Sequence, residues 1–69
     1  MNPEVYAFTR RLPDGSTYRL GTATRYPHGW RFMPNVVGRR ASRKSHPTLL
    51  RCLPQWLGYP RCCRCERLK

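Results

Sequence analysis

Carboxylates are what this chain has least of. Three acidic residues, Glu4, Asp14 and Glu66, stand against fourteen lysines and arginines, for a formal charge of +11 over 69 residues. Asp14 sits in a Pro-Asp-Gly turn, so almost no carboxylate is left for acid–base work. Neither His28 nor His46 has an acid or a nucleophile beside it in sequence. A chain this short buries only about 60% of the surface its unfolded form exposes. A deep, dry active-site cavity would consume most of that core. An enzyme is not expected, and no cofactor is implied.

Long apolar runs are missing as well. No stretch approaches the ~20 apolar residues of a membrane helix. The opening residues Met1-Asn2-Pro3-Glu4 lack the basic region and apolar run of a secretory signal. The expectation is a cytoplasmic protein with reduced thiols and no membrane partner. Lysine is scarce too: Lys44 and Lys69 are the only ones, and the rest of the positive charge is arginine. Arginine presents a planar fork that grips phosphate through two parallel hydrogen bonds and stacks on bases.

What is present is organised around Tyr18–Phe32. Pro13-Asp14-Gly15 and Pro27-His28-Gly29 each combine a proline, with φ preset near −65°, and a glycine that accepts positive φ. Both predict three-residue hairpin loops. They separate three β-rich stretches, residues 5–12, 16–26 and 30–37, the last two with period-two alternation. Three-residue loops place Leu12 opposite Ser16, Phe8 opposite Leu20, Tyr26 opposite Trp30 and Leu20 opposite Val36. Tyr6, Phe8, Leu20, Trp30, Phe32 and Val36 then share an apolar face. Thr9, Arg11, Arg19, Arg25 and Arg31 share the other, with Gly21 and Ala23 low at its centre.

Residues 38–46 carry no large apolar side chain and read as a mobile basic loop. A helix is predicted over 47–57. Ser45 or His46 would cap it, Pro47 suits its first turn, and Leu49, Leu50, Leu53, Trp56 and Leu57 form its apolar stripe. Pro54 predicts a kink or two short pieces, and Gly58 a stop. Residues 61–69 read as a disordered Cys/Arg-rich tail behind a single domain of residues 1–60. The expected fold class is α+β. It is a three-stranded antiparallel meander with one C-terminal, Pro-kinked helix on its aromatic face (βββα), with Phe8, Leu20, Phe32, Leu53 and Trp56 buried together.

Charge placement carries the functional expectation. Arg11, Arg19, Arg25 and Arg31 form a patch on three adjacent strands, and Arg25 faces Arg31 across the pair. Like charges so placed are destabilising unless an anion lies between them. Arg39, Arg40, Arg43 and Lys44 would add phosphate contacts from the loop. Arg39-Arg40-Ala41-Ser42 also matches the short substrate pattern of basophilic kinases. The predicted partner is nucleic acid, DNA before RNA, bound by a small accessory or regulatory module. The alternative is a protein-interaction module, an inhibitor or adaptor of the phage or plasmid kind, whose basic face meets an acidic protein. A solvated sheet face is the plain alternative to both. Cys62 and Cys65 have C-x-x-C spacing, and with His46 and Cys52 they make a minor zinc candidate. Without a second such pair, free thiols are the stronger reading.

The run Gly29-Trp30-Arg31-Phe32-Met33-Pro34-Asn35, then Ser42-Arg43-Lys44, His46-Pro47-Thr48 and Leu53-Pro54-Gln55-Trp56, resembles short uncharacterised proteins of bacteria, phages and plasmids. That resemblance carries no function with it. In outline, three antiparallel strands and a helix are similar to the arm-binding domains of phage-type integrases and to the plant AP2 domain, which present a sheet to the DNA major groove. No sequence motif of either is matched here, so this is an analogy of fold alone.

Overall fold

Two aromatic rings meet over the middle of a sheet. The structure, a computed structural model, describes residues 3–41 and 44–69. Strand β1 runs Val5–Arg11, β2 Thr17–Tyr26, β3 Gly29–Pro34 and β4 Arg64–Arg67, in the antiparallel order β3-β2-β1-β4. Phe8 of β1 and Phe32 of β3 flank β2, with ring centroids 6.0 Å apart. They come together over β2 because the residues beneath them are small, Gly21 and Ala23. A Cβ on Gly21 would lie 2.7 Å from the Met33 carbonyl oxygen and inside the contact radius of the Phe32 ring.

This arrangement corrects the expected register. The first hairpin closes as predicted, with the Leu12 N–H donating to Ser16 O at 2.7 Å and the Gly15 N–H donating to Leu12 O at 3.0 Å. Arg10 pairs with Tyr18 and Thr9 with Arg19, but Phe8 then pairs with Gly21, not Leu20. Leu20 is the extra residue of a β-bulge. Both Leu20 and the following glycine are buried, as is Ala23. Unbroken alternation would have turned Thr22 and Thr24 inward, where each hydroxyl would need a buried partner. The bulge sends them to the opposite face and spends two small residues on making room for the rings. Asn35 closes the bulge: its backbone N–H donates to Leu20 O at 2.8 Å and its Nδ2 to Arg19 O at 3.3 Å.

The one-residue shift propagates. The second loop is shorter than expected, with Tyr26 paired to Gly29 and Arg25, not Tyr26, opposite Trp30. Gly15 and Gly29 both hold positive φ, at 92° and 133°. The expected three-stranded meander ending in a C-terminal helix is likewise overturned. The sheet has four strands, and the helical layer lies between β3 and β4 in the chain. Residues 61–69, expected as a disordered tail, supply β4, which pairs Tyr6 with Arg67 and Phe8 with Cys65. Cys63 is buried and Cys65 half-buried, while Arg64 and Glu66 are exposed. That alternation is a strand pattern once cysteine is counted as a small apolar side chain.

The predicted helix is reduced to one turn, α1 (Leu49–Cys52), and a 3₁₀ turn at Gln55–Leu57. Pro54 separates them, as its missing N–H requires. The cap is Thr48, two or three residues later than expected, its Oγ1 accepting from the Arg51 N–H at 3.2 Å. Gly58 ends the segment at φ 69°. The core unites Phe8, Leu20, Ala23, Phe32, Cys52, Leu57 and Cys63, with Leu53 and Trp56 packed against it but only partly buried. Trp56 meets Phe32 edge-on at 6.0 Å, and Tyr59 meets Phe8 edge-on at 5.3 Å.

Phe32→Ala is expected to destabilise the fold by about 3–5 kcal/mol, since it removes a ring from a small core and leaves a cavity. A chain ending at Pro60 loses β4 and the buried Cys63. It should melt without the cooperative transition of the full chain, as followed by circular dichroism. An unchanged melting curve for the truncated chain would show that β4 contributes nothing to the fold.

Candidate functional site

Among the described residues, the helical layer packs on one face of the sheet, and the opposite, open face carries exposed arginines around a centre closed by its own side chains, where Ala7 is buried. Tyr6, Phe8, Gly21, Ala23, Trp30 and Phe32 point to the helical layer, as the register and the packing against Cys52 and Leu57 require. The alternate residues point away: Thr9 and Arg11 on β1, Arg19, Thr22 and Thr24 on β2, Arg31 and Met33 on β3, and Arg64 and Glu66 on β4. Four arginines, one from each strand, therefore share the open face, and all four are exposed. Threonines lie between them, and Met33, 60% exposed, adds an apolar contact. Glu66 is the only carboxylate placed on this side by the register.

Arg11, Arg19 and Arg31 thus lie where the sequence pattern puts them. Arg25 does not. The bulge turns it to the helical side, where its Nη1 sits 3.3 Å from Glu4 Oε1. The expected clash of Arg25 with Arg31 is absent, because Arg31 pairs with Thr24. Arg64 takes the fourth place, a residue that an unstructured tail would not have offered. Its signal was the alternation of Cys63, Arg64, Cys65 and Glu66.

The basic loop is partly anchored. The Arg39 guanidinium stacks over the Trp56 ring, 5.0 Å from its centroid. Arg40 lines a small depression with Cys52, Pro54 and Trp56, also on the helical side. Lys44 is exposed, and His46 bridges the outer edge of β3, exchanging backbone bonds with Trp30 at 2.7 and 2.8 Å. Arg43 and Ser42 lie outside the described residues. Arg67 is similarly employed, lying over the Tyr6 ring at 5.9 Å. Two of the three acids are also engaged. Glu4 pairs with Arg25, and Asp14 Oδ1 accepts from the Ser16 N–H at 2.9 Å and the Ser16 hydroxyl at 2.6 Å. Those hydrogen bonds from Ser16 hold the Asp14 pKa below its usual value.

The zinc candidates are not brought together. No group of three histidine, cysteine or acidic side chains among the described residues is placed to hold a metal, and His46 lies at the β3 edge while β4 lies at the other. All four cysteines are free thiols. Burial pushes the Cys52 thiol up from 9.0 to about 11, and its Sγ donates to Leu49 O at 2.9 Å. Burial raises Cys63 and Cys65 as well, with Arg10 partly opposing the rise at Cys63. Cys62 alone is exposed.

These environments rank the thiols. At pH 8, iodoacetamide should label Cys62 first and Cys52 last. A pKa two units higher lowers the thiolate fraction roughly a hundredfold before exclusion by packing is counted. The unfolded Cys52 thiol ionises near 9 and the folded one near 11. Its contribution to stability is therefore present below pH 9 and lost as pH rises toward 11. Mass-spectrometric mapping of the labelled sites checks the order, and equal labelling of Cys52 and Cys62 would contradict it.

No helix among the described residues is long and apolar enough to cross a membrane. Compared with protein-family models, with curated proteins and with solved structures, the chain matches none.

Proposed function

We propose that the open sheet face binds nucleic acid, DNA before RNA, and that the protein is a small accessory or regulatory binding module, not an enzyme. The observation that carries this reading is the convergence of the exposed Arg11, Arg19, Arg31 and Arg64 on the sheet face opposite the helical layer, with Thr9, Thr22 and Thr24 between them. Guanidinium groups suit phosphates and the guanine edge, where two parallel hydrogen bonds read O6 and N7. Three adjacent strands span roughly 10 Å, which fits a major groove about 12 Å wide. The net charge of +11 supplies long-range attraction to any polyanion. Two of the three carboxylates are spent within the fold, on Arg25 and on the first turn, which argues for binding ahead of acid–base chemistry. Free thiols fit a reducing, cytoplasmic setting. The loop has a lesser part in this reading, because Arg39 is held on Trp56.

One observation favours an acidic protein as the partner instead. Met33 and Tyr26, 60% and 41% exposed, lie on the same face as the arginines and would give a protein partner apolar contact area.

Salt dependence separates the two. Each phosphate neutralised on duplex DNA contributes about −0.9 to the slope of log K against log salt. With four arginines engaged, the slope should be near −3.6. Arg19→Ala and Arg31→Ala should each make it shallower by about one unit, while Arg51→Ala and Arg39→Ala leave it unchanged. Gel-shift titrations on duplex DNA, single strands and RNA at several salt concentrations give the slope. Affinity weaker than ~10⁻⁴ M at physiological salt on all three would falsify the nucleic-acid reading and leave the acidic protein partner.

A further inference from the structure

A second arginine cluster lies at the end of β1. Beyond the pair of Thr9 with Arg64, β4 has ended, and β1 continues alone on that side as Arg10 and Arg11. A notch of about 260 Å³ opens there against the loop that leads into β4. Arg10, Arg11, Arg61 and Arg64 line it, together with Thr9 and Cys62. Arg10 is half-buried, and its Nε donates to Cys62 O at 3.1 Å. That bond ties the loop to the strand, fixes the guanidinium in place and leaves its Nη groups for a ligand. The notch is lined by no carboxylate, and among the described residues none of these four guanidiniums is ion-paired. Four arginines lining one concavity raise the local positive potential, and an anion with several acceptor oxygens is favoured there.

The geometry points to a phosphate site in this notch, one that takes the terminal phosphate of a nucleic acid. A dianion matches the charge, and its oxygens match donors arriving from two sides, β1 and the loop. The notch holds a phosphate and a few attached atoms, short of the roughly 300–1,000 Å³ of sites that enclose whole small molecules. The rest of the ligand must therefore lie outside. Arg11 and Arg64 belong both to the notch and to the open face, so the chain attached to the phosphate runs onto that face. This last step rests on the nucleic-acid reading above; affinity of the notch for phosphate does not.

The test uses the full chain and Arg61→Gln. Arg61 is exposed, lies outside the four strands and makes no side-chain hydrogen bond or ion pair among the described residues, so its loss leaves the structure standing. Arg51→Gln, with the same change of charge, is the control. Inorganic phosphate is titrated at constant ionic strength and followed by amide chemical shifts. Saturable shifts at Arg10, Arg61 and Arg64 are expected, weakened about tenfold or more in Arg61→Gln and retained in Arg51→Gln. No saturable shift at millimolar phosphate, or the same response in Arg61→Gln, overturns the site. A labelled single strand is then compared with and without a 5′-phosphate. The phosphorylated strand should bind several-fold tighter, and Arg61→Gln should erase the difference. Equal binding of the two strands, with phosphate still bound, overturns the nucleic-acid terminus and assigns the notch to free phosphate. Because the open face is tested by Arg19 and Arg31, failure of one site does not mimic failure of the other.

Discussion

The bulge at Leu20 decides which side of the sheet every later residue of β2 occupies, and the two-residue second loop leaves Arg31 and Phe32 of β3 on the faces their alternation predicts. A strand alternates strictly, so one extra residue exchanges the two faces downstream of it. Upstream, Arg19 remains on the open side; downstream, Gly21, Ala23 and Arg25 turn toward the helical layer. The driving interaction is the meeting of Phe8 and Phe32 above β2, which needs small residues beneath it. Burial of two aromatic rings outweighs the loss of one ladder pair. The carbonyls disturbed by the bulge are in any case recovered by Asn35. The arginine face is thus a product of core packing. The same shift that seats the rings removes Arg25 from that face and pairs it with Glu4.

How legible this was in the chain depended on how local each signal is. The Pro-Asp-Gly turn, its glycine at positive φ, the break at Pro54 and the stop at Gly58 all arise from one to four residues, and all appear as the residue types imply. Phe8, Leu20 and Phe32 were recognisable as core for the same reason. The bulge was not, because Tyr18, Leu20, Thr22, Thr24 and Tyr26 form an unbroken alternating series that looks self-consistent. Its flaw is visible only in three dimensions: it buries threonines and leaves no room for two rings. The helical segment does break into two short pieces at Pro54, but its extent and cap were less legible. A stripe of leucines is compatible with a helix, but Thr48 as cap and Pro54 as break leave room for little more than one turn.

The fourth strand shows how composition misleads in a short chain. Residues 61–69 are rich in arginine and carry a single acid, a pattern associated with unfolded tails. Yet cysteine is among the most buried of side chains. Cys63 and Cys65 face inward at the spacing a strand requires, and β1 would otherwise present an open edge. A small domain has few apolar residues to spend, so two cysteines near its end weigh more than they would in a larger protein. Pairing of β4 with β1 also completes the candidate interface, since it brings Arg64 to the open face and sets Arg61 beside Arg10.

The arginines divide by what faces them. Arg25 has a carboxylate, Arg39 an indole, Arg67 a phenol ring, and Arg10 a backbone carbonyl for one of its donors. Each of these arginines helps to hold the fold, and its charge is partly answered there. Arg11, Arg19, Arg61 and Arg64 are exposed, and no partner within the described residues answers their charge. A marginally stable domain gains nothing from unanswered like charge. Water and salt screen it at a convex surface, but less well in a concave notch, where field lines are focused between low-dielectric walls. The asymmetry between arginines used by the fold and arginines left over is therefore a physical argument for an anionic partner. It is strongest where the surplus is concave, at the notch that Arg11, Arg61 and Arg64 line.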